Sequence, residues 1–222
     1  MEYSPTMSYK QKIAARAART VLPGMTINLG IGLPTLIPNY LDPRIQVMIH
    51  SENGVLGAGA AADSETAHPM QIDAGGGYIL VNRGASFFDS ATSFAIIRGG
   101  RLDIAFLGAL EVSEKGDLAN WIIPGKFAPG IGGGMELAQK AGKLVVVTSH
   151  CTRKGLPKII PRCTLPLTAG KCVDMIITEL AVFQVRDDQL ILLETARESN
   201  LDEIKEKTAA RFAVAPGPLP MF

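Results

Sequence analysis

Apolar residues recur along this chain in two rhythms. Over residues 8–20, Ile13, Ala14, Ala17 and Ala18 follow helical spacing, which predicts an amphipathic helix ended by Pro23-Gly24. "MTINLGIG" reads as a short buried strand running into a glycine turn. "LPTLIPNYL" predicts a helix with Pro34 in its first turn, and "IQVMIH" predicts the next strand. Residues 53–77 are rich in glycine and turn formers and read as loop. "YILV" is a strand, residues 86–98 a helix, and "LDIAFLGAL" a buried strand. "MELAQKA" and "KLVVVTSH" add another helix and strand. The last third is strand-rich: "KIIPRC", "DMIITELAVFQVRDDQLILLETA" and "RFAVA", with Asp187-Asp188 as a hairpin turn. Asn200 is placed to cap a late helix, "LDEIKEKTAA".

Apolar strands alternating with helices predict an α/β fold, a mostly parallel sheet flanked by helices. With no repeat, low-complexity segment or linker, residues 1–222 read as one domain, with 1–7 and 215–222 as tails. Apolar residues make up 47% of the chain and the formal net charge is +1, so nothing points to a nucleic-acid or membrane-surface partner. No apolar run approaches the roughly 18–20 residues of a membrane span, and the N-terminal stretch has no apolar signal-peptide core. Cys151, Cys163 and Cys172 are widely spaced and form no CxxC, so a zinc site is disfavoured. Idle thiols in a reducing cytoplasm are the reading, and the expected location is cytoplasmic.

Ligands of an open parallel sheet bind beyond the carboxyl ends of its strands. Several glycine turns fall there: "NLGIG", "SENGVLGAG", "DAGGG" and "APGIGGG". Each can bring backbone N–H groups to an anion or an acyl oxygen, and each can equally be an ordinary tight turn. Glu52 is the sharpest candidate. In an extended strand Gln46, Met48, His50 and Glu52 share one face, while Ile45, Val47 and Ile49 share the other. Asn53-Gly54 then supplies a tight turn, so a carboxylate stands at a strand end, as either a projected nucleophile or a solvent-facing side chain. A carboxylate nucleophile suits attack on a thioester: it forms a mixed anhydride and needs no base near neutral pH.

Other groups carry less. His50 shares a face with Glu52 and is a candidate to tune it, whereas His68 and His150 read as turn and strand-end structure. Ser51 lacks a Ser-His-Asp order or a G-x-S-x-G setting. Glu111 and Glu114 read as a solvated turn rather than as partners of Glu52 in glycosidase-like chemistry.

"HSENGVLGAG" closely resembles the active-site signature of the class I CoA-transferases, in particular the beta (B) chain of 3-oxoacid CoA-transferases. "NLGIGLPT", "GASFFDSATSFAIIRGGRLDIAFLGALEVS", "GDLANWIIPGK", "GGGMELA" and "ITELAVF" resemble the same chain in the same order. The resemblance implies the CoA-transferase fold, which sugar-phosphate isomerases share. It implies Glu52 as the nucleophile, carrying CoA as a glutamyl thioester in ping-pong chemistry, with no metal and no resident cofactor. It places the oxyanion N–H near Gly133. Substrate and CoA contacts are expected from Asn28, Gly30 and Gly32, from Ser51, Asn53 and Gly54, from Gly57 and Gly59 close to the thioester, and from Gly132 and Gly134. Some relatives have a basic residue where Gly76 and Gly77 stand, and Ile49 replaces the usual Leu or Phe.

The family is built from two related halves, and this chain resembles the glutamate half. A separate alpha subunit is therefore implied, as a heterodimer and commonly in a dimer of such alpha–beta pairs. An acyl-CoA and a short-chain carboxylate are the implied substrates. Acetoacetate is the expected acid, with succinyl-CoA or a short-chain acyl-CoA as donor and 3-oxoadipate as a further candidate acid. The contrasting reading is a non-catalytic ligand-sensing module of the same fold.

Overall fold

The computed structural model describes residues 7–126 and 130–222. The first helix is α1, Tyr9–Ala18. Ser8 caps it reciprocally: Ser8 Oγ accepts from the Gln11 N–H, and the Gln11 side chain accepts from the Ser8 N–H. Strand β1, Thr26–Leu29, leads to Leu33–Tyr40, which is a 3-10 helix rather than the expected α-helix. Pro38 within that segment lacks the N–H that an α-helical bond would need.

Next come β2 (Met48–Ser51), β3 (Val55–Ala61) and β4 (Ile79–Phe87). Residues 53–77 are thus not all loop, because β3 pairs antiparallel with β2 and β4. Its glycines are strand glycines with close neighbours: a Cβ on Gly57 would stand 3.0 Å from Ala85 Cα, and one on Gly59 3.1 Å from the Leu80 carbonyl oxygen. Helix α2 is Ser90–Arg98, starting later than predicted because β4 runs on to Phe87. Asp89 caps it, accepting from the Thr92 N–H at 2.7 Å.

The remaining elements are β5 (Ile104–Leu107), β6 (Glu111–Ser113), β7 (Leu118–Ala119), α3 (Gly134–Lys140), β8 (Leu144–Val147), β9 (Ile159–Ile160), β10 (Met175–Ile177), β11 (Ala181–Arg186), β12 (Gln189–Thr195), α4 (Leu201–Lys207) and β13 (Ala213–Val214). Asp187 and Asp188 have φ of +52° and +59°, the backbone of a two-residue primed turn between β11 and β12. Asn200 caps α4 through the Glu203 N–H. Residues 215–222 are not a tail. Phe222 is 4% exposed, and its backbone exchanges hydrogen bonds with Thr195 and Arg197, because its ring fills a gap in the core. The predicted tail over residues 1–6 lies outside the described residues.

Ten strands form one sheet in the order β13-β12-β11-β10-β8-β5-β1-β2-β3-β4. The five central strands, β10-β8-β5-β1-β2, are all parallel, and antiparallel hairpins extend both sides. Both faces are covered, as the continuous apolar strands require. Ala105 and Leu107 of β5 face a core with Ile97 of α2 and Leu137 of α3, whereas Ile104 and Phe106 face Ile13 of α1 and Ile37. A small sheet, β7-β6-β9, lies on the α2–α3 side, where Val112, Leu118 and Ile159 enter the same core. From β1 the chain passes to β2 on one side and later to β5 on the other, so the order reverses at β1. The loops leaving β1, β2 and β5 surround that switch point.

Candidate active site

Strand β2 ends at Ser51, and the pair Ser51↔Val55 closes a three-residue loop of Glu52, Asn53 and Gly54. The Gly54 N–H donates to the Ser51 carbonyl at 3.0 Å, which makes Glu52 and Asn53 the central turn residues. The sequence predicted Asn53-Gly54 for that role; Gly54 instead carries the positive φ, +114°, that returns the chain into β3. Glu52 is half-buried at the head of the turn.

Both sides of the hairpin are fastened. Ser51 Oγ accepts from the Ala74 N–H at 2.9 Å, and Asn53 Nδ2 donates to the Ile72 carbonyl at 2.7 Å. The "DAGGG" loop that receives them is self-contained. Asp73 Oδ1 accepts from Gly75 and Gly77 at 2.8 Å each, and the Asp73 carbonyl accepts from Gly76 at 3.0 Å. Its N–H groups are therefore occupied, and it braces the hairpin rather than offering donors to a ligand.

On the α2 side, three side chains converge below Glu52. Asn28 of β1 is fully buried, and its Nδ2 donates to the His50 carbonyl at 3.1 Å and to Glu52 Oε2 at 3.4 Å. The same nitrogen lies 3.1 Å from His50 Nδ1, and His50 Nε2 lies 3.0 Å from Ser93 Oγ of α2. A carboxamide nitrogen only donates, so Nδ1 is the accepting nitrogen of His50 and Nε2–H donates to Ser93. Burial pulls the His50 pKa down to about 4, so the ring is neutral near pH 7. Phe88 stacks on it with centroids 6.2 Å apart. Asn28 Oδ1 is buried without a hydrogen-bond partner among the described residues.

The fourth wall is the loop before α3, described from Gly130 onward. A Cβ on Gly133 would stand 3.6 Å from Glu52 Cγ and 3.2 Å from the Phe94 ring, so this glycine lies directly against the carboxylate arm. The Gly134 N–H donates to the Ile131 carbonyl at 3.1 Å, whereas the Gly133 N–H has no partner among the described residues. Gly132 has φ of +52° and open space around it.

The predicted residues thus divide. Asn28, Glu52 and Gly133 are brought together, with Ser51, Asn53 and Gly54 as the frame of the hairpin. Gly30 is held against β5, its N–H donating to the Phe106 carbonyl at 2.8 Å, and Gly32 opens the 3-10 helix. Gly57 and Gly59 lie in β3, close against Ala85 and Leu80 of β4. Glu111 accepts from Thr164 and Leu165, and Glu114 from the Arg211 N–H, so both carboxylates are engaged elsewhere. His150 is clamped between Thr178 and Thr208 at 2.9 Å each, the structural role its position suggested. Ser93 and Phe94 were missed. Their signal was a serine four residues before Ile97, on the buried stripe of a short helix.

A carboxylate at a switch point, beside a carboxamide and a glycine loop, has the components of acyl transfer: a nucleophile and groups that can donate to an oxyanion. The fold is one seen in solved structures. An acyl-CoA transferase, YdiF of Escherichia coli O157:H7, superposes with a TM-score of 0.77 over 100% of this chain and 44% of its own, at 19% identity. The chain belongs to the Coenzyme A transferase family, whose model matches residues 10–207. A probable coenzyme A transferase subunit beta of Bacillus subtilis is 51% identical over 205 residues, 92% of this chain and 94% of that one. The mitochondrial succinyl-CoA:3-ketoacid coenzyme A transferase 2A of Rattus norvegicus is 47% identical over 96% of this chain, which spans only 41% of that protein. The short relative is named for one subunit, and the long one exceeds twice this length, as the two-halves reading requires. No helix among the described residues is long and apolar enough to cross a membrane.

Proposed function

We propose that this chain is the glutamate-bearing half of a two-subunit CoA-transferase and that Glu52 is its nucleophile. The observation that carries the reading is the position of Glu52, on a braced hairpin between the Asn28 carboxamide and Gly133. A Glu52 oxygen attacks the thioester carbonyl of an acyl-CoA, and the CoA thiolate leaves as an acyl-glutamyl anhydride forms. The thiolate then attacks the glutamyl carbonyl, releasing the free acid and leaving CoA on Glu52 as a thioester. An acceptor carboxylate reverses the sequence. Each attack places negative charge on a carbonyl oxygen, and the Gly133 N–H and the Asn28 carboxamide are the proposed donors to it.

The substrate pair supported by the long relative's name is a succinyl-CoA donor and a 3-oxo acid such as acetoacetate. A companion alpha subunit completes the enzyme, in a dimer of alpha–beta pairs. Incubation of the assembled enzyme with acyl-CoA, then borohydride reduction and peptide mapping, reads the intermediate directly. Modification on Glu52 is expected, with a fall of at least about 10³-fold in turnover for Glu52→Ala. Wild-type turnover in that variant would refute the assignment.

A further inference from the structure

His50 and Ser93 are used by no step above, yet both are buried and joined to the site. Asn28 has two N–H bonds and three acceptors around its nitrogen: His50 Nδ1, the His50 carbonyl and Glu52 Oε2. Its carbonyl oxygen faces no donor among the described residues. Hydrogen bonding of Oδ1 therefore does not hold this amide the right way round. The orientation is enforced by what surrounds the nitrogen, and of those three acceptors the imidazole is the one that a change of tautomer turns into a donor. With the proton on Nε2, the Nδ1 lone pair attracts the Asn28 N–H. With the proton on Nδ1, the ring would demand the Asn28 oxygen instead, and a flipped amide would set that oxygen against the His50 carbonyl and the Glu52 carboxylate.

We propose that Ser93 and His50 are positioning residues: Ser93 Oγ, 3.0 Å from Nε2, gives the Nε2–H the acceptor without which that tautomer would bury an unpaired N–H, and that tautomer keeps the Asn28 N–H turned toward Glu52. The pair acts through Asn28, touching neither substrate nor CoA. Phe88, stacked on the imidazole, keeps the ring plane in place while Asn28 donates to Nδ1 and Ser93 accepts from Nε2–H. The low pKa produced by burial supports the arrangement, since a doubly protonated ring would offer Asn28 no acceptor at all. The consequence falls on rate rather than affinity. The N–H at Glu52 Oε2 is most valuable when that oxygen bears the charge of a tetrahedral intermediate, and it contributes little to holding CoA.

This inference rests on the nucleophile assignment, and the experiment separates the two. The chain is labelled with ¹⁵N-histidine and assembled with an unlabelled companion, so that only its 3 histidines report. In the wild type, His50 is expected to show a protonated Nε2 and a bare Nδ1. Ser93→Ala is expected to shift the ring toward the Nδ1–H form and to lower kcat about 10- to 100-fold. KM for the acyl-CoA should stay within about 3-fold, because ground-state binding is untouched. Ser93→Cys keeps a side chain of similar size but accepts weakly, and it carries the same test if the alanine variant does not fold. Wild-type kcat in a folded Ser93 variant would overturn the proposal, as would a loss of kcat with His50 still wholly Nε2–H. Absence of a Glu52 adduct in the wild type would instead defeat the nucleophile assignment, leaving the tautomer measurement standing.

Discussion

Gly54 lies in the Glu52 hairpin and Gly133 lies against it, and each excludes a side chain for a different reason. Gly54 has φ of +114°, and a Cβ there would fall 1.9 Å from the Phe88 carbonyl oxygen. Backbone would have to move, so Gly54→Ala is expected to lose about 2–4 kcal/mol in urea denaturation. Gly133 has φ of −80°, which alanine adopts freely. Its added methyl would stand 3.2 Å from the Phe94 ring, which must give way, and would come into contact with Glu52 Cγ at 3.6 Å. Gly133→Ala should therefore leave the melting temperature within about 3 °C, while steady-state kinetics show kcat reduced about 10- to 100-fold. Glu52 itself was legible in the sequence as a carboxylate at a turn. Which glycine N–H has no partner among the described residues was not legible from the residues alone, only the family resemblance pointing near Gly133, since that depends on hydrogen bonds made inside each loop, as Asp73 makes inside its own.

Between elements, α1 is pinned to β12 by a fork of two charge-assisted bonds. Arg16 Nε donates to Glu194 Oε2 at 2.7 Å and Nη2 to Oε1 at 2.5 Å, with both side chains largely buried. Removing one partner leaves the other charge in a desolvated place. Glu194→Ala is expected to destabilise by about 2–3 kcal/mol, and Arg16→Met in the same chain to recover much of it, as a double-mutant cycle would measure. Local signals were readable for elements of this size: the Asn200 cap and the Asp187-Asp188 turn formed where the residues indicated. Strand β3 was not, because Gly57 and Gly59 look like turn formers until the neighbouring strand that demands them is present. The small β7-β6-β9 sheet was hidden as well, its strands of 2 or 3 residues being too short to show a period.

For the molecule as a whole, two buried histidines govern the acid side of stability. Burial lowers His50 and His150 each to a pKa of about 4, with Lys207 assisting at His150. In the unfolded chain they would bind protons near pH 6.5. The unfolded state therefore gains protons first as pH falls, and stability should decline from about pH 6.5 down to about pH 4. Urea midpoints across that range check the slope, and His150→Gln should flatten it. The parallel order of the central sheet followed from alternating strands and helices, and the family from ordered motifs. The docking of residues 215–222 did not, because a single Phe222 in a run of glycine, prolines and methionine carries no periodic signal.

The Glu52 hairpin also has an arithmetic. His50 reaches Ser93 of α2, and the next residue, Ser51, is fastened to Ala74 of another loop. Side chains alternate along a strand, so inserting or deleting one residue in β2 would exchange these neighbours and send the carboxylate to the wrong side. Changes of residue type at this hairpin can be graded, but a change of length cannot. The position of Glu52 is set by parity, and the segment can be edited by substitution far more readily than by insertion or deletion.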